Sequence, residues 1–233
     1  MQRYEPITPW DLEHALRGVG ADGLGYALAD LADLAYHGLA RPADTWAALV
    51  ERLLALGANP NPPRLEDDES PLARWFAAGD VAAVSLLLRA GARFAFHAPQ
   101  PFLDAFLRAS DALRARVLAA VPGRLPPDFD PSARAFVLRD GDLGTALHRG
   151  VEREADAPLI EQLLLLGVSP CVRSAPFAQT AADLARARIA ELSDVPPMAN
   201  MEARARLIDR RRARMQRVLR VLVAAERAWA RRI

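Results

Sequence analysis

Apolar residues recur along this chain at spacings of three and four, in short runs broken by hydroxyl caps, prolines and glycines. That period is the signature of helices that bury one face, and no stretch carries the sustained alternation with β-branched enrichment that strands require. The pattern therefore predicts an all-α fold. Start signals are frequent. Thr8-Pro9 opens a stripe over Trp10 to Leu16, Ser70-Pro71 opens one over Leu72 to Ala78, and Ser110-Asp111 opens one over Ala112 to Ala120. Helices of two or three turns are unstable alone, so each must bury its face against neighbours, which points to stacking.

The spacing also repeats. Leu53-Leu54-Ala55-Leu56-Gly57-Ala58-Asn59-Pro60-Asn61 is echoed by Leu86-Leu87-Leu88-Arg89-Ala90-Gly91-Ala92-Arg93-Phe94, and again by Leu163-Leu164-Leu165-Leu166-Gly167-Val168-Ser169-Pro170. Gly57 and Gly91 are 34 residues apart. A second landmark, Ser70-Pro71-Leu72-Ala73, recurs as Thr145-Ala146-Leu147-His148 and as Thr180-Ala181-Ala182-Asp183-Leu184, and Thr145 and Thr180 are 35 apart. A fixed period in this range marks a repeat architecture.

These residues resemble ankyrin repeats, whose unit is a turn followed by two antiparallel helices. Ser70-Pro71-Leu72 stands where that family has Thr-Pro-Leu, Gly79 ends the first helix, Val84 to Leu88 lie in the second, and Gly91-Ala92 close the unit. The units at Thr145 and Thr180 match more loosely, and residues 45–61 retain a second helix and its turn. Asp68 stands where the family's finger glycine would be, and Trp75-Phe76 replace a pair of small residues. Because Gly91 and Gly167 are 76 apart, a degenerate or enlarged unit is expected near 97–139, carrying Pro122-Gly123 and the Pro126-Pro127-Asp128-Phe129-Asp130-Pro131 loop. The resemblance implies one ankyrin-repeat solenoid domain over 1–233: an N-terminal helical cap over 1–42, repeats over 43–192 and a C-terminal capping helix over 193–233. It also implies that the chain binds another protein through its finger turns and inner helices.

Composition narrows the function classes. With 52% hydrophobic residues and a net charge of +1 over 233 residues, the chain is neither disordered nor uniformly polybasic. One cysteine, Cys171, excludes an internal disulfide and a multi-cysteine zinc site, and neither a signal peptide nor a membrane span is readable. We expect a cytoplasmic protein. All thirty cations are arginine. Lysine is absent and Ile, Asn and Tyr are scarce, which matches the codon bias of a GC-rich bacterial genome; a translocated effector that avoids ubiquitination is the alternative.

Candidate chemistry is thin. Gly18-Val19-Gly20-Ala21-Asp22-Gly23 satisfies G-x-G-x-x-G, but it follows a helical pattern instead of a strand and reads as a helix end and turn. The four histidines, His14, His37, His97 and His148, lack metal-ligand spacing. By the resemblance, His148 hydrogen-bonds within and between repeats. Cys171 follows Pro170 at a turn and reads as an exposed thiol, not a nucleophile. Asp140 and Asp142 form a carboxylate pair without a closed pocket that would split their pKa values. We expect no catalytic residue, no metal, no cofactor and no small-molecule substrate.

Charge distribution is more informative. From Met201 to Ile233 there are eleven arginines and three acids, so the rest of the chain is net acidic. In that tail Leu207, Ile208, Met215, Val218, Leu219 and Leu222 fall on one helical face, with Arg210, Arg211, Arg214 and Arg217 as a secondary basic surface. The candidate protein-binding residues of the fingers and inner helices are Glu66, Asp67, Asp68, Glu69, Asp140, Asp142, Glu152, Arg153 and Phe177. One-signed fingers would steer a partner with a basic surface. Trp75, Phe76, Phe94 and Phe96 are nearby aromatics that could anchor it, with core packing the readier use of the first two. This suggests an adaptor or inhibitor, including an immunity-type protein that neutralises a basic toxin. The alternative is a regulator that lays its arginine-rich helix on nucleic acid or an anionic membrane.

Overall fold

The computed structural model describes residues 18–37, 43–63, 69–96, 98–121, 124–176, 178–194 and 202–232. The helix expected over Trp10 to Leu16 lies outside them. Ten helices and one short hairpin occur among the described residues, so the chain is mostly helical. It divides into two compact units, 1–127 and 128–233.

The first unit holds α1 (Ala21–Tyr36), α2 (Ala43–Ala55), α3 (Pro71–Ala78), α4 (Val81–Arg89), α5 (Pro99–Arg108) and α6 (Asp111–Ala120). Sequence neighbours pair, α1 with α2 and α3 with α4, and each helix also packs on the one two places along: α1 on α3 on α5, and α2 on α4 on α6. The caps explain the breaks. Ser70 Oγ accepts from the Ala73 amide at 3.3 Å, Pro71 occupies the first turn, and Asp80 and Ser110 cap α4 and α6 in the same way. Residues 45–61 are not a lone second helix, because α1 supplies its partner. The Gly18-x-Gly20 segment leads into α1: Gly18 is left-handed, Gly20 is the N-cap, and Gly23 lies inside the helix.

The core of this unit is built from the apolar stripes. Leu28, Leu53, Leu72, Trp75, Leu87, Leu103 and Phe106 are fully buried. Trp75 meets Trp46 edge-on at 6.2 Å and its indole N–H donates to the Leu28 carbonyl at 2.8 Å. Phe76 stands among Phe94, Phe102 and Phe106 at 5.3–6.4 Å, in the tilted and edge geometries that aromatic pairs favour. Phe94 is thus a core residue and no surface anchor; Phe96 stacks on Phe102 and is half-buried. The bulky Trp75-Phe76 pair is accommodated because these rings fill the space between helices.

The second unit holds β1 (Phe136–Val137), β2 (Leu143–Gly144), α7 (Ala146–Glu152), α8 (Ala157–Leu165), α9 (Ala181–Ser193) and α10 (Glu202–Ala230). Here α7 pairs with α8 and α9 with α10, while α7 packs on α9 and α8 on α10. Met215, Val218 and Leu222 of α10 are fully buried, as their spacing predicts, whereas Leu207 stays 54% exposed, more than a turn ahead of Arg212, whose guanidinium donates to the Leu192 carbonyl. The strands pair antiparallel, Phe136 with Gly144 and Val137 with Leu143, and Leu143 also exchanges both backbone hydrogen bonds with Ala175. Among the described residues, this hairpin and its bridge to Ala175 depart from the helical pattern.

One turn recurs in identical form. After α2, α4 and α8 a left-handed glycine (Gly57, Gly91, Gly167, φ near +90°) donates its N–H three residues back, and the next residue donates five back, to Leu53, Leu87 and Leu163. Only glycine takes that conformation without strain, so the echo read in the sequence is an echo of backbone geometry. Side chains then tie turn to turn. Asn61 donates to the Gly91 carbonyl at 3.2 Å and accepts from Arg93 N–H at 2.7 Å; in the second unit Ser132 Oγ accepts from Ser169 N–H at 2.7 Å. Over 99–120, α5 packs on α3 and α6 on α4. The irregular stretch expected near 97–139 is therefore narrower and lies in the loop and hairpin that follow α6.

Candidate functional site: a guanidinium-lined cleft

In the second unit the hairpin packs against α7. Phe136 points inward and Val137 outward, the alternation of a strand with one buried face. Gly144 is required beneath it, since a Cβ there would meet His148 Cβ at 2.8 Å and Leu138 Cδ1 at 2.9 Å. Two groups of α7 clasp the hairpin: the Arg149 guanidinium donates to the Val137 carbonyl at 3.4 Å, and Glu152 accepts from the Arg139 backbone N–H. Arg149 also pairs with Glu152, one turn away.

Two residues beyond, Glu154 adopts a left-handed backbone (φ +55°) in the turn to α8. Its carboxylate takes both forks of Arg211, with Nε at 2.6 Å, and Arg214 reaches its carbonyl at 3.3 Å. The hydrogen bonds from Arg211 hold the Glu154 carboxyl below the usual glutamate range and, reciprocally, raise the Arg211 guanidinium. Arg139, Arg149, Glu152, Arg153, Glu154 and Arg211 together line an open cleft of about 570 Å³.

Next to the cleft, polar groups are drawn inside. Asp142 is 1% exposed and accepts from Ser174 Oγ at 2.6 Å; its backbone carbonyl accepts from Leu138 N–H at 2.7 Å. The Ser174 N–H and His148 Nε2 both reach the Gln179 carbonyl, at 2.7 and 2.9 Å. His148 is 1% exposed, with burial lowering its pKa below the ordinary histidine value.

The structure places the sequence candidates unevenly. Glu152, Arg153 and Arg211 converge on one cleft. Asp140 is exposed beside the hairpin turn, as expected of a finger charge. Asp142 and Glu152 are not: both are at most 9% exposed, Glu152 giving both oxygens to internal donors and Asp142 accepting from Ser174 through Oδ2, while its buried Oδ1 has no partner among the described residues. Glu69 is half-buried, while Glu66, Asp67, Asp68 and Phe177 lie outside the described residues. Arg210, Arg214 and Arg217 are exposed on α10. Cys171 is exposed; burial of its surroundings raises its pKa, which leaves the thiol protonated near neutrality. Sequence reading missed Arg139, Arg149 and Glu154. Arg149, Glu152 and Arg153 at i, i+3 and i+4 share one helix face, a signal that could have found Arg149; the Glu154–Arg211 contact spans 57 residues and leaves no local trace.

Comparison with protein-family models and with curated proteins returns no match. Among the described residues no group of three or more metal-binding side chains occurs, and no helix is long and apolar enough to cross a membrane.

Proposed function

We propose that this chain is a non-catalytic protein-binding module of the ankyrin-repeat type, acting as an adaptor or inhibitor. The observation that carries the reading is the turn that recurs after α2, α4 and α8, with Asn61 tying the first to the second and Ser132, ahead of β1, accepting from the third. Such ties make connecting segments rigid, and rigid exposed tips lose little entropy when they meet a partner. The cleft supports the same use. It is open and its carboxylates are engaged by guanidinium groups, an arrangement suited to surface recognition more than to proton transfer in a closed site.

The acidic run Glu66-Asp67-Asp68-Glu69 gives the first unit affinity for a basic surface, which keeps an immunity-type inhibitor of a cationic protein as the specific form of this reading. Affinity capture on the full chain tests it: a basic protein should be retained, and lost when these four residues are changed to Ser with the circular dichroism unchanged. Failure to retain any protein by any surface overturns the reading.

A second reading rests on α10. Arg210, Arg217 and Arg220 are exposed on the side of the helix away from the buried Met215, Val218 and Leu222. If this face served nucleic acid or an anionic membrane, binding to duplex DNA or phosphatidylglycerol vesicles would fall steeply with salt and vanish on changing Arg210, Arg217 and Arg220 to Ser.

A further inference from the structure

We infer that the cleft of the second unit, with the exposed hairpin beside it, recognises an acidic protein segment that carries an apolar side chain, a chemistry opposite to that of the acidic finger run. This deepens the protein-binding reading and rests on it.

The first argument is donor accounting. Glu152 spends one oxygen on the Arg139 backbone N–H and the other on Arg149, and Glu154 gives both oxygens to Arg211. The acceptors in the cleft are therefore used internally. A guanidinium carries five N–H donors, and Arg211 spends two on Glu154 while Arg149 spends Nη1 on Glu152 and Val137. Arg139, Arg149 and Arg211 alone outnumber the two carboxylates, so the cleft is net positive, and Arg149 Nε has no partner among the described residues. Incoming carboxylates fit that deficit, and planar forks suit them.

The second argument is the apolar pair. Val137 is 63% exposed and Leu143 45%, and they are direct cross-strand partners, so both side chains stand on the same outer face of the hairpin. The pair borders the cleft, because Arg149 donates to the Val137 carbonyl and Arg139 follows two residues on. Exposed apolar residues rimmed by arginine make the usual composition of a contact surface. A nucleic-acid backbone would gain nothing from Val137 and Leu143. An acidic peptide with an apolar residue uses both features.

Selection from a random peptide library displayed on phage, panned on the full chain, tests this directly. The enriched sequences should combine Asp or Glu with Leu, Ile or Phe. A synthetic peptide of that consensus should lose about tenfold or more in affinity with the double variant Arg139→Ser, Arg153→Ser, and separately with Val137→Ser. Both variants alter exposed side chains, and an unchanged thermal melt verifies that they fold. Enrichment of basic or uncharged sequences, no enrichment at all, or a peptide indifferent to these substitutions overturns the inference. So does a single-stranded oligonucleotide or an anionic vesicle that binds more tightly than the peptide with the same sensitivity. Any of these leaves the protein-binding reading standing if a partner is retained through the finger run instead.

Discussion

Nε2 of His148 stands 2.9 Å from the backbone oxygen of Gln179, 31 residues along the chain. A carbonyl only accepts, so Nε2 carries the hydrogen. Nδ1, which accepts from the Thr145 N–H at 3.2 Å, is then bare. The ring is a neutral bridge between the start of α7 and the segment leading into α9. That is the role the resemblance implied for this histidine, and it has a measurable consequence.

Burial, the largest influence on His148, lowers its folded pKa below the ordinary value of 6.5, with the Gln179 hydrogen bond and the charges of Asp142 and Asp183 opposing and Arg134 assisting. The unfolded chain then binds more protons than the folded one between the lowered value and 6.5. Stability from this group is complete above 6.5 and declines as the pH falls below it. Urea unfolding at about pH 7.5 and about pH 5.5 should show a loss that is reduced in His148→Gln, whose stability is lower at both.

Asn61 joins two successive turns by its own side chain, donating to Gly91 and accepting from Arg93. Asn61→Ala should lower stability by about 1 kcal/mol, the ordinary worth of such bonds at an exposed site. Amide exchange at Arg93 should quicken more than exchange in the interior of α4, since the lost restraint is local.

Trp75 fills the space between α1 and α3, and its indole gives the Leu28 carbonyl a second donor besides the α1 ladder. Trp75→Phe keeps most of the apolar volume and removes that one bond, for a loss of about 1 kcal/mol. Trp75→Ala opens a cavity as well and should cost about 3–5 kcal/mol. Thermal melts of the two variants against the parent give the ordering, and equal losses would assign the whole effect to the hydrogen bond.

Glu154 combines an unfavourable backbone with a favourable side chain. Its φ of +55° suits glycine, and its carboxylate holds Arg211 of α10. Glu154→Ala removes the pair and keeps the strain, whereas Glu154→Gly removes both. The alanine variant should therefore be the less stable of the two, by about 1 kcal/mol, in denaturant titration.

Much of the helical architecture was legible. Ser70 and Ser110 cap the helices that follow them, and Gly57, Gly91 and Gly167 close the turns at the expected places. The stretch after Gly91 was harder, because α5 and α6 lack the familiar wording of the other pairs while still packing on the helices two places back. The site was legible only in fragments. Glu152 and Arg153 were read as finger and inner-helix residues and Arg211 as part of a separate basic surface, and the fold brings all three to one cleft.

By itself, the sequence determined where helices start, where they stop and how often the pattern returns, because capping, left-handed glycine and apolar spacing are demands of the local backbone. Tertiary structure alone decided which charges face a partner. Asp140 and Asp142 are two residues apart and alike in chemistry, yet one is exposed and the other buried against Ser174, 32 residues away. The use of a carboxylate depends on the donors that surround it, and distant segments supply those donors only once the helices have packed.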